Sequence, residues 1–186
     1  MHFRSRSCQE GPFKMRKYLC LASAVVALAA TIILTPLSAG AATPATFTLT
    51  AGALSISAPT ASVSLGSQVA STSSSTITGS LGVVTVTDQR GGATTWTTSV
   101  ISTAFTPPAG PADPASNVSY GAGPITVSAT VVATAVPATD LTGVSTVVTG
   151  ASTGISTASW NPTVSVVVPA NFAPGVYSAT ITHSVA

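Results

Sequence analysis

The end of the chain alternates without a break. Tyr177, Ala179, Ile181, His183 and Val185 fall on one side, and Val176, Ser178, Thr180, Thr182 and Ser184 on the other. A period of two residues is what a pleated strand imposes, with one face in a core and the other toward water. Residues 163–168 alternate in the same way and put Val164, Val166 and Val168 inward. No helical period occurs after residue 42, so the chain beyond that point is expected to be all-β.

Residues 83–100 read as two β-type runs joined by a polar, Gly-rich turn at residues 89–92. The expectation is a hairpin around which the domain is built. Asp88 and Arg90 sit in it and are the only opposite charges close together beyond the leader. Trp96, one of only two tryptophans, lies on its second run. There Trp96, Thr98 and Val100 point one way, and Thr97, Ser99, Ile101 and Thr103 the other. Neither side is purely apolar, so this strand is expected to be partly covered on both faces.

Elsewhere the strands are short. Residues 45–57 read as two short strands or one bent strand, interrupted at Ala51-Gly52. Residues 63–66 are a further candidate. Residues 76–88 form a strand region with bulge points at Gly79 and Gly82, residues 125–136 a single strand, and residues 144–149 another. Residues 156–160 run into a stop at Asn161-Pro162. The Ser/Thr tract at residues 67–75 reads as a surface loop, with O-glycosylation as the alternative. The proline-rich run at residues 107–114 cannot join a ladder, because proline lacks the donor. Asn117-Val118-Ser119 matches a glycosylation triplet and is read as chance. Many short strands between Gly and Pro turns describe a sandwich or barrel. Gly175-Val176-Tyr177 entering a late strand favours an immunoglobulin-like antiparallel β-sandwich.

Charge excludes whole classes of partner. Arg4, Arg6, Lys14, Arg16 and Lys17 all precede an apolar stretch at residues 19–34. Beyond it the only charges are Asp88, Arg90, Asp113 and Asp140. Nucleic acid needs a Lys/Arg footprint for its phosphates, and a charged membrane surface needs a polybasic patch; neither is present. Low charge here does not mean disorder, which requires low hydrophobicity with high net charge.

The basic run, the apolar stretch, Pro36 and the small residues Ala39-Gly40-Ala41-Ala42 follow the layout of a secretory signal peptide. Residues 1–42 are therefore expected to be removed, with the cut after Ala42 or Ala41, and residues 43–186 to form one exported domain. An uncleaved anchor is the alternative, and Met15 is an alternative start. Cys8 and Cys20 both lie in the leader, so the exported domain has no thiol, disulfide or cysteine-based metal site.

Two stretches carry a family likeness. Val86-Thr87-Asp88-Gln89-Arg90-Gly91, followed by Trp96, resembles the Asp-x-Arg-Gly turn and first Trp-x-Leu of the WxL family of Gram-positive surface proteins. Asn161-Pro162 through Val168-Pro169, then Gly175-Val176-Tyr177 to the end, resembles that family's closing strands. Phe47-Thr48-Leu49 with Leu54-Ser55-Ile56 is similar to its opening. The likeness covers most of residues 46–186. Threonine replaces leucine at Thr98, and His183-Ser184-Val185 stands where the second Trp-x-Leu would fall. The resemblance implies secretion and non-covalent attachment to peptidoglycan, in company with other surface proteins.

The residue inventory does not favour an enzyme. His183 is the only histidine beyond the leader, and no Gly-x-Ser-x-Gly elbow occurs. The three aspartates lack calcium-loop spacing and paired-carboxylate convergence. No catalytic residue, metal site or cofactor is expected. Candidate ligand-binding residues are Trp96 and Trp160, which could stack on sugar rings or sit in the core, and Asp88 and Arg90, which could hold a glycan or brace their turn. The leading expectation is a secreted, non-enzymatic domain associated with the cell wall. The alternative is a structural surface subunit that assembles with itself or with partner proteins by strand addition.

Overall fold

The computed structural model describes residues 43–186; the leader expected over residues 1–42 lies outside the described residues. Eleven strands follow in order: β1 (Leu54–Ser57), β2 (Ser75–Ser80), β3 (Val84–Asp88), β4 (Thr94–Ser102), β5 (Val118–Gly121), β6 (Ile125–Val127), β7 (Val131–Ala135), β8 (Ser145–Ser152), β9 (Ser156–Trp160), β10 (Thr163–Val168) and β11 (Ile181–Val185). The fold is all-β, with one 3-10 turn at Ala115–Asn117 among the described residues. Every pairing is antiparallel.

The strands form three sheets, ordered β1-β3-β9-β6, β2-β10-β5 and β11-β4-β8-β7. The first two are halves of one bent surface. The chain passes from β2 into β3, from β9 into β10 and from β5 into β6 with only a short break, each time crossing from one sheet to the other. The bend is held where two of these breaks meet. Gly82 takes a left-handed φ of 91°, a conformation only glycine adopts freely. Its N–H donates to Asn161 Oδ1 at 3.1 Å, and the Ser80 hydroxyl donates to the same oxygen. Leu81 N–H donates to the Pro162 carbonyl at 3.0 Å. Asn161-Pro162, a stop in the sequence, is thus a corner.

The third sheet is reached by arches. The expected hairpin at residues 83–100 does not form: β3 pairs with β1 and β9, whereas β4 pairs with β11 and β8. Residues 89–93 therefore carry the chain from one sheet to another. Residues 125–136, expected as one strand, are likewise split into β6 and β7 in different sheets, and β8 passes to β9 by a third arch. The three arches lie side by side, because Asp88 pairs with Ser156, Val127 with Ala158, Thr94 with Ser152 and Val131 with Ser152.

Hydroxyl groups stitch the arches. Ser152 and Ser156 share a buried hydrogen bond of 2.8 Å. Thr130 Oγ1 donates to the Ile155 carbonyl at 2.7 Å, and Thr157 N–H donates to Ser128 Oγ at 3.1 Å. Backbone groups that cannot join a ladder still need partners, and short hydroxyl side chains supply them locally. That is one physical use of so much Ser and Thr.

The inward residues of all three sheets meet in one core. Val84, Val86, Ala158 and Trp160 come from the first sheet, Val118, Tyr120, Val164 and Val166 from the second, and Trp96, Val100, Val147 and Val148 from the third. Val164 and Val166 point inward as the alternation requires, while Val168 is half-buried. Trp96, Thr98 and Val100 are buried and the opposite side of β4 is largely half-covered, as its mixed faces implied. Residues 63–66 form no strand, and of residues 45–57 only β1 does.

Candidate functional site

Asp88 ends β3 and Thr94 begins β4, so the first arch is clamped between them. Asp88 is 0% exposed. Its Oδ1 accepts from Arg90 N–H and Nε, both at 3.0 Å, and its Oδ2 accepts from Arg90 Nη2 at 3.0 Å and from the Thr94 hydroxyl at 2.8 Å. Arg90 Nη2 also donates to the Thr95 carbonyl at 2.9 Å. A carboxylate offers about four acceptor positions, and all are used within the arch. The Arg90 hydrogen bonds hold the Asp88 carboxyl down at about 2, below the usual carboxylate range. This pair braces its turn and leaves Asp88 nothing to offer a ligand; only part of the Arg90 guanidinium reaches solvent.

Both tryptophans are in the core, each 2% exposed. Neither presents a ring face on which a sugar could stack, so the stacking role considered for Trp96 and Trp160 does not fit this placement. Trp96 lies over Gly150, its register partner on β8. A Cβ at Gly150 would come within 2.2 Å of ring atoms of that indole. Trp96 Nε1 and Thr98 Oγ1 are the buried side-chain polar atoms without a hydrogen-bond partner among the described residues.

Trp160 instead begins a relay that sequence reasoning missed. Its Nε1–H donates to Tyr120 Oη at 2.9 Å. The Tyr120 hydroxyl also hydrogen-bonds His183 Nε2 at 3.1 Å, with the donor set by the imidazole tautomer. Burial lowers the His183 pKa from its ordinary value, which favours the neutral ring. The rings of Tyr120 and His183 meet edge-to-face at 5.6 Å. Burial pushes the Tyr120 hydroxyl up to about 12. The three residues come from β9, β5 and β11, so the relay ties all three sheets together. It has the form of a structural tie: no carboxylate hydrogen-bonds His183 among the described residues, and no hydroxyl other than that of Tyr120 does. The available signal was the alternation of Val118, Ser119 and Tyr120.

Asp113 and Asp140 do not converge with Asp88. Asp140 caps its own turn by accepting from Thr142 N–H at 2.8 Å. Asp113 is buried, accepts from Asn117 Nδ2 at 2.6 Å, and has its pKa raised by that burial. Asn117, noticed only for a glycosylation triplet, thus holds a buried carboxylate. Among the described residues no group of three potential metal ligands comes together.

What lies open is a sheet face and a groove. The outer face of the third sheet carries hydroxyl rows in register, Ser184 beside Ser99 and Thr146 and Thr97 beside Thr149 and Thr134, interleaved with Val132 and Ala151 beside Thr95 and with Ile101 beside Thr182. No charged residue lies on it. The groove, about 760 Å³, runs between residues 62–71 and the loop after β10, with Phe105 and Asp113 in its lining. Comparison with family models, with curated proteins and with solved structures gives no match.

Proposed function

We propose that the chain is an exported, non-enzymatic surface domain with an immunoglobulin-like sandwich, of the kind found in WxL proteins, and that it associates with peptidoglycan or another wall glycan. The uncharged hydroxyl lattice on the outer face of the third sheet supports this reading. Strands lie about 4.8 Å apart and same-face residues about 6.7 Å apart along a strand. Its hydroxyl rows are therefore regularly spaced donors and acceptors, suited to a ligand that is itself studded with hydroxyls and amides. Such contacts are individually weak, about 1 kcal/mol each, so attachment relies on many of them along a repeating polymer. Both tryptophans are in the core, so the proposed contact is this face rather than a ring stacked on sugar.

The test is co-sedimentation of the exported domain with purified sacculi, before and after removal of wall polymers. Wild type should sediment with bare peptidoglycan. A Thr97→Glu/Thr149→Glu variant, with its melting temperature preserved, should remain in the supernatant. Absence of wild-type binding to both preparations would overturn the reading.

A further inference from the structure

Two unpartnered apolar features lie at opposite ends of the bent surface. The first is the run that enters β1. Phe47 is 92% exposed and Leu49 84% exposed, and spaced two apart they share one side of an extended backbone. The backbone groups of residues 47–51 make no hydrogen bond among the described residues, and the run carries no charge. It is a segment outside any ladder that carries two large exposed apolar side chains.

The second feature is the groove. Leu65, Ile77, Val168, Phe172, Val176 and Phe105 supply its apolar surface. One wall is pinned by Asn171 N–H donating to the Ser71 carbonyl at 2.9 Å. The opposite wall is stiffened by Phe172 and Tyr177, stacked at 5.9 Å, with Tyr177 Oη donating to the Ala173 carbonyl at 3.0 Å. Its volume lies in the range that holds a short peptide-sized ligand.

The two features cannot meet within one chain. Gly52 N–H donates to the Gln89 carbonyl at 2.8 Å, and Gln89 N–H donates to the Ala53 carbonyl at 3.0 Å. These bonds anchor the run beside the first arch. β1 is antiparallel to β3 and reaches Asp88 at Leu54, so residues preceding Gly52 head past the end of β3. The groove contains Ile77 of β2, on the far side of the corner at Gly82. Five residues extend at most ~18 Å, and these leave in the opposite direction.

We propose that residues 47–51 of one copy insert into the groove of a second copy, with Phe47 and Leu49 against Ile77, Val168 and Phe172. The run carries no charge, and the groove is lined by apolar side chains with Asp113 as its one ionisable carboxylate. Because donor and acceptor lie at opposite ends, the contact is head-to-tail. A head-to-tail contact propagates as a linear chain unless its rotation closes a ring, and each subunit is added through a short apolar segment. It does not depend on wall binding, and the two are read in separate experiments.

The experiment uses the exported protein without wall material. Light scattering should give a mass that rises with concentration. A Phe47→Glu/Leu49→Glu variant should keep the wild-type melting temperature and stay at monomer mass. Beyond residue 42 the chain has no cysteine, so a Leu49→Cys/Val176→Cys pair can be cross-linked cleanly. Oxidation should give a ladder extending past dimer on a non-reducing gel, with each single variant stopping at dimer or below. A wild type that is monomeric at every concentration, a double variant that closes only within one chain, or association that survives the glutamate pair would each overturn the proposal. A monomer whose groove residues respond instead to soluble wall fragments would also overturn it and give the groove to a glycan.

Discussion

Thr98 sits at the middle of β4, 0% exposed, with Val148 on one side in register and Val185 on the other. Its hydroxyl has no hydrogen-bond partner among the described residues. Burying such a group without a partner costs about 1–3 kcal/mol. Valine has nearly the same shape, with a methyl where the hydroxyl was, so Thr98→Val removes the cost and opens no cavity. The expected gain is about 1–2 kcal/mol, and for a domain of this size each kcal/mol moves the melting temperature by about 2–4 °C. Thermal unfolding followed by circular dichroism should therefore show a rise of about 2–8 °C. Thr97→Val, on the outer face of the same strand, should change stability by less than about 0.5 kcal/mol and serves as the control. A Thr98→Val variant that melts at or below wild type would mean that the hydroxyl is satisfied, and the account of β4 packing would fail.

Gly150→Ala should destabilise by about 3 kcal/mol or more, since its methyl would meet the Trp96 ring at 2.2 Å and overpacking of this severity exceeds the usual range; chemical denaturation reads this directly, and a loss under about 1 kcal/mol would refute the contact. The Asp88 clamp predicts acid sensitivity: a carboxyl held at about 2 in the fold and 3.8 without it stabilises fully above pH 3.8 and loses that contribution as pH falls toward 2. Asp88→Asn should flatten that limb of the pH–stability curve, and an unchanged limb would contradict the clamp. Tyr120 predicts the opposite limb. Its hydroxyl ionises near 10 when unfolded and about 12 when folded, so stability should hold to pH 10 and fall between 10 and 12, and Tyr120→Phe should remove that fall.

The period-two pattern made the strands legible and left their partners hidden. Residues 163–168 and 181–185 are strands with the expected inner faces, and Trp96, Thr98 and Val100 face the core as their spacing required. The Gly-rich turn at residues 89–92 is compatible with a hairpin or an arch. The choice is made by β9 and β8, which lie far along the sequence and offer β3 and β4 separate partners. The break between β6 and β7 had no Gly or Pro to mark it; Ser128 and Thr130 make the arch through their hydroxyls. Tyr177 follows the alternation but precedes the strand and is only half-buried against Phe172, so it contributes less to the core than a fully inward ring. At the candidate site, the rarity of Asp88, Arg90, Trp96 and Trp160 was readable, but rarity did not distinguish bracing from binding. Their burial does.

The arches also govern when this chain can become a folded protein. Of the consecutive strands, only β7 and β8 pair with each other; every other ladder joins segments that are not sequence neighbours. Loop closure must then precede most of the gain from pairing, which makes folding slow. β3 has no inner neighbour until β9 arrives, and β4 has no outer one until β11, the last strand of the chain, does. A polypeptide of this design stays open until its late strands are in place, and its ladders then form together rather than one hairpin at a time.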